Sequence, residues 1–224
     1  MARYDEYAGW YDDWIAAPAD DLVALSLFRV MGPVTSTAQR VLDLACGQGR
    51  VARALAADGN DVVGVDLSGE LLAFARAADC RRITYIQTDV CSTDWWDGVP
   101  FDGVVASMAL MDIDDLEGAV RTAATVLRPG GWFAWSIIHP LFPGIAQVRA
   151  SWPTGGSYFD KGWWQTDGDG LRGRVGSSHR TLSTYLNVMV EHGFVLEAAE
   201  EPPWQLSPSD PPMPFFLVTR WRRR

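Results

Sequence analysis

The sequence predicts an α/β fold, an open and mostly parallel sheet of about seven strands with helices on both faces. Three observations carry this. Apolar strand-like runs alternate with helical patterns through residues 1–140, the order expected when each strand is followed by a crossover helix. The run Val41-Leu42-Asp43-Leu44-Ala45 passes straight into a glycine-bearing turn, Cys46-Gly47-Gln48-Gly49, and then into a helix. The chain has 224 residues and is 48% hydrophobic, enough for one domain with a substantial core and no second.

Taken in order, residues 1–38 are expected to form a helical cap. Residues 39–139 form the core, with strands at 40–45, 61–66, 83–88, 101–107 and 131–138. Ser68, followed by Leu71, Leu72 and Ala75, reads as the start of a helix after the second strand. The helix near 114–127 carries Leu116, Ala119, Val120, Ala123 and Leu127 on one stripe and is expected to stop at Pro129-Gly130-Gly131. Residues 140–178 are too long a stretch for a plain connection and read as a lid inserted after the fifth strand. Residues 179–224 supply a core-facing helix, with Leu182, Tyr185, Leu186, Met189 and Val190 at helical spacing and His192-Gly193 as its stop. Strands near 194–199 and 214–221 then flank a proline-rich connection.

The turn after the first strand reads as a site for a nucleotide-like ligand. Gly47 and Gly49 let the backbone turn sharply and approach a ligand, and the following helix presents unpaired N–H groups. Asp66, at the end of the second strand, is placed to accept both hydroxyls of a ribose. Gly47-Gln48-Gly49-Arg50-Val51-Ala52 also fits the G-x-G-x-x-A form of the dinucleotide fingerprint, so the glycines alone leave a nicotinamide dinucleotide open. Asp43 argues the other way: a carboxylate there suits an ammonium group and repels a pyrophosphate. Asp89 could accept from an adenine amino group while Val90 packs on the ring, so that acids stand at three successive strand ends.

These pieces, with Pro100-Phe101-Asp102-Gly103-Val104-Val105 and Leu127-Arg128-Pro129-Gly130-Gly131, resemble the class I S-adenosylmethionine-dependent methyltransferases, within them the small single-domain group similar to ubiquinone/menaquinone C-methyltransferases. The resemblance runs from about Tyr4 to the C-terminus. It implies a Rossmann-like sheet whose last strand is antiparallel to the rest. It also implies that Asp43, Gly47 and Gly49 hold the methionyl part of S-adenosylmethionine, Asp66 the ribose and Asp89 the adenine. Ala45, Leu67, Val90 and Ser107 stand beside them at the strand ends, and Tyr11 closes over the cofactor, or else packs with Trp10 and Trp14. Met108 and Met111 would line the boundary with the acceptor. The family often has a histidine near Met111, and this sequence has none there.

The insertion intersperses Trp152, Tyr158, Phe159, Trp163 and Trp164 with glycines, so an aromatic-lined pocket for a flat, apolar guest is expected from Trp152, Tyr158, Trp163 and Trp164. The alternative is that these rings pack down as a satellite core or a dimer contact. Methyl transfer needs an aligned nucleophile and excluded water, with at most modest acid–base help. His139, at the end of the fifth strand, is the first candidate base, and His179, expected to open the next helix, the weaker one. His192 reads as a helix cap.

The expected reaction is methyl transfer from S-adenosylmethionine, leaving S-adenosylhomocysteine, to O, N or C of a small, apolar, aromatic acceptor such as a quinone-like or secondary metabolite. The alternatives are an NAD(P)-dependent oxidoreductase and a cofactor-binding subunit without catalysis. A net charge of −9 argues against nucleic-acid partners. Cys46, Cys80 and Cys91 fit neither a disulfide framework nor a zinc site, which points to reduced thiols in a cytoplasm and no metal. Neither a secretory leader nor a membrane span is expected, the protomer standing alone or as a homodimer. The arginines of Arg220-Trp221-Arg222-Arg223-Arg224 read as a frayed, solvated tail.

Overall fold

The computed structural model describes residues 2–15, 22–32, 38–78, 83–141, 156–205 and 207–224. Their strands are β1 (Arg40–Leu44), β2 (Asp61–Asp66), β3 (Ile83–Gln87), β4 (Phe101–Ser107), β5 (Leu127–Ile138), β6 (Gly162–Trp164), β7 (Ser177–His179), β8 (Phe194–Glu200) and β9 (Phe216–Arg223). Seven of them form one sheet in the order β3-β2-β1-β4-β5-β9-β8, and β6 pairs with β7 apart from it. The pairs among β1 to β5 are parallel, and β9 runs antiparallel to both of its neighbours. As the sequence predicts, the fold is α/β, and as the resemblance implies, the last strand of the seven-stranded sheet is its one antiparallel strand.

The helices are α1 (Ala8–Ile15), α2 (Leu22–Met31), α3 (Arg50–Ala57), α4 (Gly69–Ala77), α5 (Leu116–Val126), α6 (Leu171–Val175) and α7 (Leu182–Glu191), with a 3₁₀ turn at Asp5–Tyr7 before α1. Successive residues of a strand face opposite sides of the sheet, and each side has its own core. On one, Val41, Val62, Val105 and Val218 meet Leu27 and Val30 of α2 and Ala52 and Leu55 of α3. On the other, Leu42, Val63, Val104, Phe133 and Trp135 meet Ala119, Val120 and Ala123 of α5 and Tyr185 and Met189 of α7. Burial on both faces is why the inner strands read as continuous apolar runs instead of alternating. The expected helical cap divides: α2 packs on β5, β8 and β9, whereas the 3₁₀ turn and α1 pack on α4.

Ser68 caps α4, its Oγ accepting from the Leu71 amide at 3.1 Å, and Asp115 caps α5 by accepting from the Gly118 amide at 2.8 Å. Strand order reverses at β1, which lies between β2 and β4. In open sheets of this kind the crevice beyond the strand carboxyl ends at such a point receives the ligand.

The structure corrects three expectations. Helix α5 ends at Val126, because Leu127 is already extended (φ −73°, ψ 143°) and pairs with Phe101, so β5 starts before Pro129. Three of the four terminal arginines, Arg220, Arg222 and Arg223, belong to β9, held between β5 and β8. There Trp221 is buried against Trp135, Arg222 pairs with Glu197 at 2.9 Å, and Arg223 donates to the Leu127 carbonyl. His179 does not open the helix but ends β7. Helix α7 starts after Thr181, and its first amide, that of Leu182, donates to the Tyr158 hydroxyl at 2.7 Å.

Candidate active site

The carboxyl ends of β1, β2 and β4 open into a cavity of about 490 Å³. Its walls take in Ala45 and Gly47 after β1, Asp66 and Leu67 at the end of β2, Asp89 and Val90 after β3, and Ser107 and Met108 at the end of β4. Tyr4 and Tyr11 form part of the wall on the side of residues 2–15, and Asp112, Ile113 and Asp114 border it from the loop after β4.

Backbone geometry marks the same place. Ala45 (φ +58°) and Met108 (φ +53°) are the non-glycine residues in the left-handed region among those described, and both border the cavity. Such conformations cost about 1–3 kcal/mol each and persist where the surroundings over-determine them. The Met108 amide donates to both the Ser136 carbonyl (2.9 Å) and its hydroxyl (3.0 Å), which fixes the turn out of β4.

Asp66 is nearly buried, and its two oxygens are aimed by backbone: Oδ2 accepts from the Gly47 amide at 2.7 Å and Oδ1 from the Ser68 amide at 2.8 Å. Burial pushes its carboxyl up, while these amides pull it back down. Asp43 lies behind the turn and off the cavity wall. It is 1% exposed, one oxygen takes the Ala52 amide at the start of α3, and Oδ2 has no partner among the described residues. Burial pushes its carboxyl up to about 7, the Ala52 hydrogen bond opposes that, and the nearby Asp66 charge adds to it. Gly49 is also off the wall. It has φ +76°, and a Cβ there would stand 2.3 Å from the Tyr85 hydroxyl, so only glycine fits the turn into α3. Asp89 is exposed and accepts from the Cys91 amide at 2.8 Å, beside the buried Val90.

A polar cluster that sequence reasoning missed closes the cavity. Tyr4 donates to Asp112 Oδ2 at 2.8 Å, Arg172 of α6 pairs with Asp112 Oδ1, and the Tyr11 ring meets the Tyr4 ring edge-on at 5.2 Å. Burial, with the Asp112 charge second, raises the Tyr4 hydroxyl well above its ordinary value and pushes Tyr11 up to about 12, so both are phenols at neutral pH. No periodicity links Tyr4, Asp112 and Arg172.

Several expected site residues lie away from the cavity. His139 is buried, accepts from the Leu141 amide at 3.2 Å through Nδ1 and faces Glu201 at 3.1 Å through Nε2. Burial lowers its pKa, against the pull of Glu201. His179 is buried with Nε2 2.8 Å from the Tyr158 carbonyl. Met111 is in the core, its carbonyl accepting from the Ser178 amide and the Ser177 hydroxyl. Trp164 is buried beside β7, Trp163 is half exposed and lies against Gly176, and the Tyr158 hydroxyl is taken up by α7. Trp152 lies outside the described residues. Among the described residues of the insertion, the contribution to the cavity wall is Val175.

Among solved structures, the S-adenosylmethionine-dependent methyltransferase of Mesorhizobium loti is 31% identical and superposes with a TM-score of 0.72, covering 91% of this chain and 99% of that one. The chain belongs to the class I S-adenosylmethionine-dependent methyltransferases. The methyltransferase domain family matches residues 42–135, the stretch that supplies β1 to β4 and most of β5. Among curated relatives, the ubiquinone biosynthesis O-methyltransferase of Paracidovorax citrulli is 30% identical over 145 residues, 62% of this chain and 61% of that one. The demethylmenaquinone methyltransferase of Clavibacter sepedonicus is 31% identical over 135 residues, 58% of this chain and 54% of that one. The chain thus spans less than two thirds of either curated relative. No helix among the described residues is long and apolar enough to cross a membrane, and no metal-binding cluster of His, Cys, Asp or Glu occurs among them.

Proposed function

We propose that this protein methylates O, N or C of a small acceptor, quinone-like or another aromatic metabolite, with S-adenosylmethionine as donor. The observation that carries the reading is the single cavity that joins the ends of β1, β2 and β4 to the tyrosine and aspartate wall beyond Met108. The residues present suit the cofactor. Asp66, with each oxygen already oriented by one amide, keeps a lone pair on each for a ribose hydroxyl. The unpartnered Oδ2 of Asp43 places beneath the turn a carboxyl that an ammonium group would hold ionised and whose charge would oppose a pyrophosphate. Asp89 and Val90 offer an acceptor and an apolar surface to an adenine.

When bound, S-adenosylmethionine supplies an electrophilic methyl group on sulfur. The chain's own contribution is to align the acceptor and keep water out, which can provide most of the acceleration. In this reading the aromatic surface comes from Tyr4 and Tyr11 in place of the insertion tryptophans. His139 and His179 act as structural imidazoles, and the half-buried wall carboxylate, Asp112, holds the Tyr4 hydroxyl and the Arg172 guanidinium in place. The quinone-related acceptor class rests on the two curated relatives, one named for ubiquinone biosynthesis and the other for demethylmenaquinone.

The test is calorimetric titration with S-adenosylhomocysteine, NAD and NADP in parallel, followed by transfer of labelled methyl to catechols, hydroquinones and aromatic amines. Binding of S-adenosylhomocysteine with silent nicotinamides and label in an aromatic acceptor is expected. Binding of NAD would replace the reading with an oxidoreductase. Cofactor binding without transfer to any acceptor would favour a non-catalytic subunit.

A further inference from the structure

We propose that Arg172 and Arg174 are positioning residues that hold residues 4–11 over the cavity, so that the insertion sets where Tyr4 and Tyr11 stand. The inference rests on the cofactor reading above but is carried by different contacts.

Residues 2–15 have little apolar anchorage. The 3₁₀ turn buries no side chain and α1 buries only Ala8. Polar and aromatic contacts therefore fasten the segment. Ser68 donates to Asp5 at 2.7 Å, Arg3 pairs with Asp114, and Tyr4 donates to Asp112. The insertion adds two arms from α6. Arg172, its side chain 12% exposed, pairs with one oxygen of Asp112 and donates to the Gly176 carbonyl at 2.9 Å. It thereby fixes the rotamer of the carboxylate whose other oxygen holds Tyr4. Arg174 lies over the Trp10 ring at 4.4 Å and the Tyr7 ring at 5.4 Å, with Nε donating to the Asp169 carbonyl.

Both arms converge on Tyr11. From Arg172 the path runs through Asp112 and Tyr4, whose ring meets Tyr11. From Arg174 it runs through Trp10, which stacks on Trp14 at 5.8 Å, with Trp14 6.0 Å from Tyr11. Helix α6 is thus linked to the segment that carries the Tyr4 and Tyr11 wall of the cavity. In this proposal that segment lifts when the cofactor product leaves, and α6 resists it.

Arg174 is the variant of choice, because removing Arg172, itself only 12% exposed, leaves the half-buried Asp112 without its cation and endangers the fold. Amide hydrogen exchange of the ligand-free protein and stopped-flow tryptophan fluorescence of S-adenosylhomocysteine release would be compared for wild type, Arg174→Ala and Arg174→Lys. In Arg174→Ala, exchange at residues 4–14 and product release are each expected to rise about fivefold, with exchange in β1 and β2 unchanged. Arg174→Lys keeps the charge and loses the planar stack, so it should fall between. Unchanged exchange overturns the clamp, and faster exchange with unchanged release overturns its hold on the cofactor. If wild type does not bind S-adenosylhomocysteine, the proposed function fails, while exchange alone still decides the clamp.

Discussion

The Gly47 amide donates to Asp66 Oδ2 at 2.7 Å, tying the turn after β1 to the end of β2. One hydrogen bond therefore sets both the shape of the turn and the aim of the acid. Asp66→Ala should weaken S-adenosylhomocysteine binding by about 1–3 kcal/mol, the typical cost of losing a hydrogen bond to a charged group. Calorimetry with the purified variant checks this. Unchanged affinity would remove Asp66 from the ribose site.

Asp43 gives effects of opposite sign on stability and binding. Its folded-state pKa of about 7 lies above the ordinary carboxylate value, so the native state holds a proton that the unfolded chain releases. Its contribution to stability is greatest below about pH 4 and declines as pH rises toward 7. Asp43→Asn keeps an acceptor for the Ala52 amide and removes the charge. Stability by urea denaturation at pH 8 should rise by about 1 kcal/mol or more, while affinity for an ammonium-bearing cofactor should fall. A variant that is less stable at pH 8 would contradict the buried-charge account.

Gly49 is fixed by two independent constraints, its φ of +76° and the 2.3 Å approach of Tyr85. Gly49→Ala should cost more than the about 1–2 kcal/mol of the left-handed conformation alone. Adding Tyr85→Phe removes the nearest atom, although ring carbons remain within 3.0 Å, so only part of the loss should return. A double-mutant cycle in urea measures the coupling. Full additivity would mean that the ring moves aside without cost.

The sheet was legible because buried parallel strands are short apolar runs whose ends are punctuated, as at Gly47, Asp66 and Ser107. The cavity's cofactor side was legible for the same reason: Asp66 and Val90 follow directly from strand ends. Its other side was not. Tyr4, Asp112 and Arg172 come from three separate parts of the chain and meet only through tertiary packing. The arginine tail misled because charge suggests solvent, whereas β9 lies between two strands and its arginines reach Glu197 and backbone carbonyls at the rim. The insertion's rings looked available for a guest, but the Tyr158 hydroxyl is taken up by α7, Trp164 is buried, and Trp163 lies against Gly176, none of them on the cavity wall.

His139 separates a structural imidazole from a catalytic one. It sits at the end of β5, as a base would, yet Nδ1 accepts from the Leu141 amide and Nε2 faces Glu201, away from the cavity. Burial lowers its pKa, so it is neutral at pH 7 and donates from Nε2. His139→Ala should therefore cost about 1–3 kcal/mol of stability by leaving the Leu141 amide without its acceptor. At saturating substrates, the transfer rate per folded molecule and its pH profile should be unchanged for any acceptor that the wild type methylates. A loss of rate with stability intact, together with a pH profile that loses its lower limb, would return His139 to the role of general base, because only a group that handles the reacting proton shapes that profile.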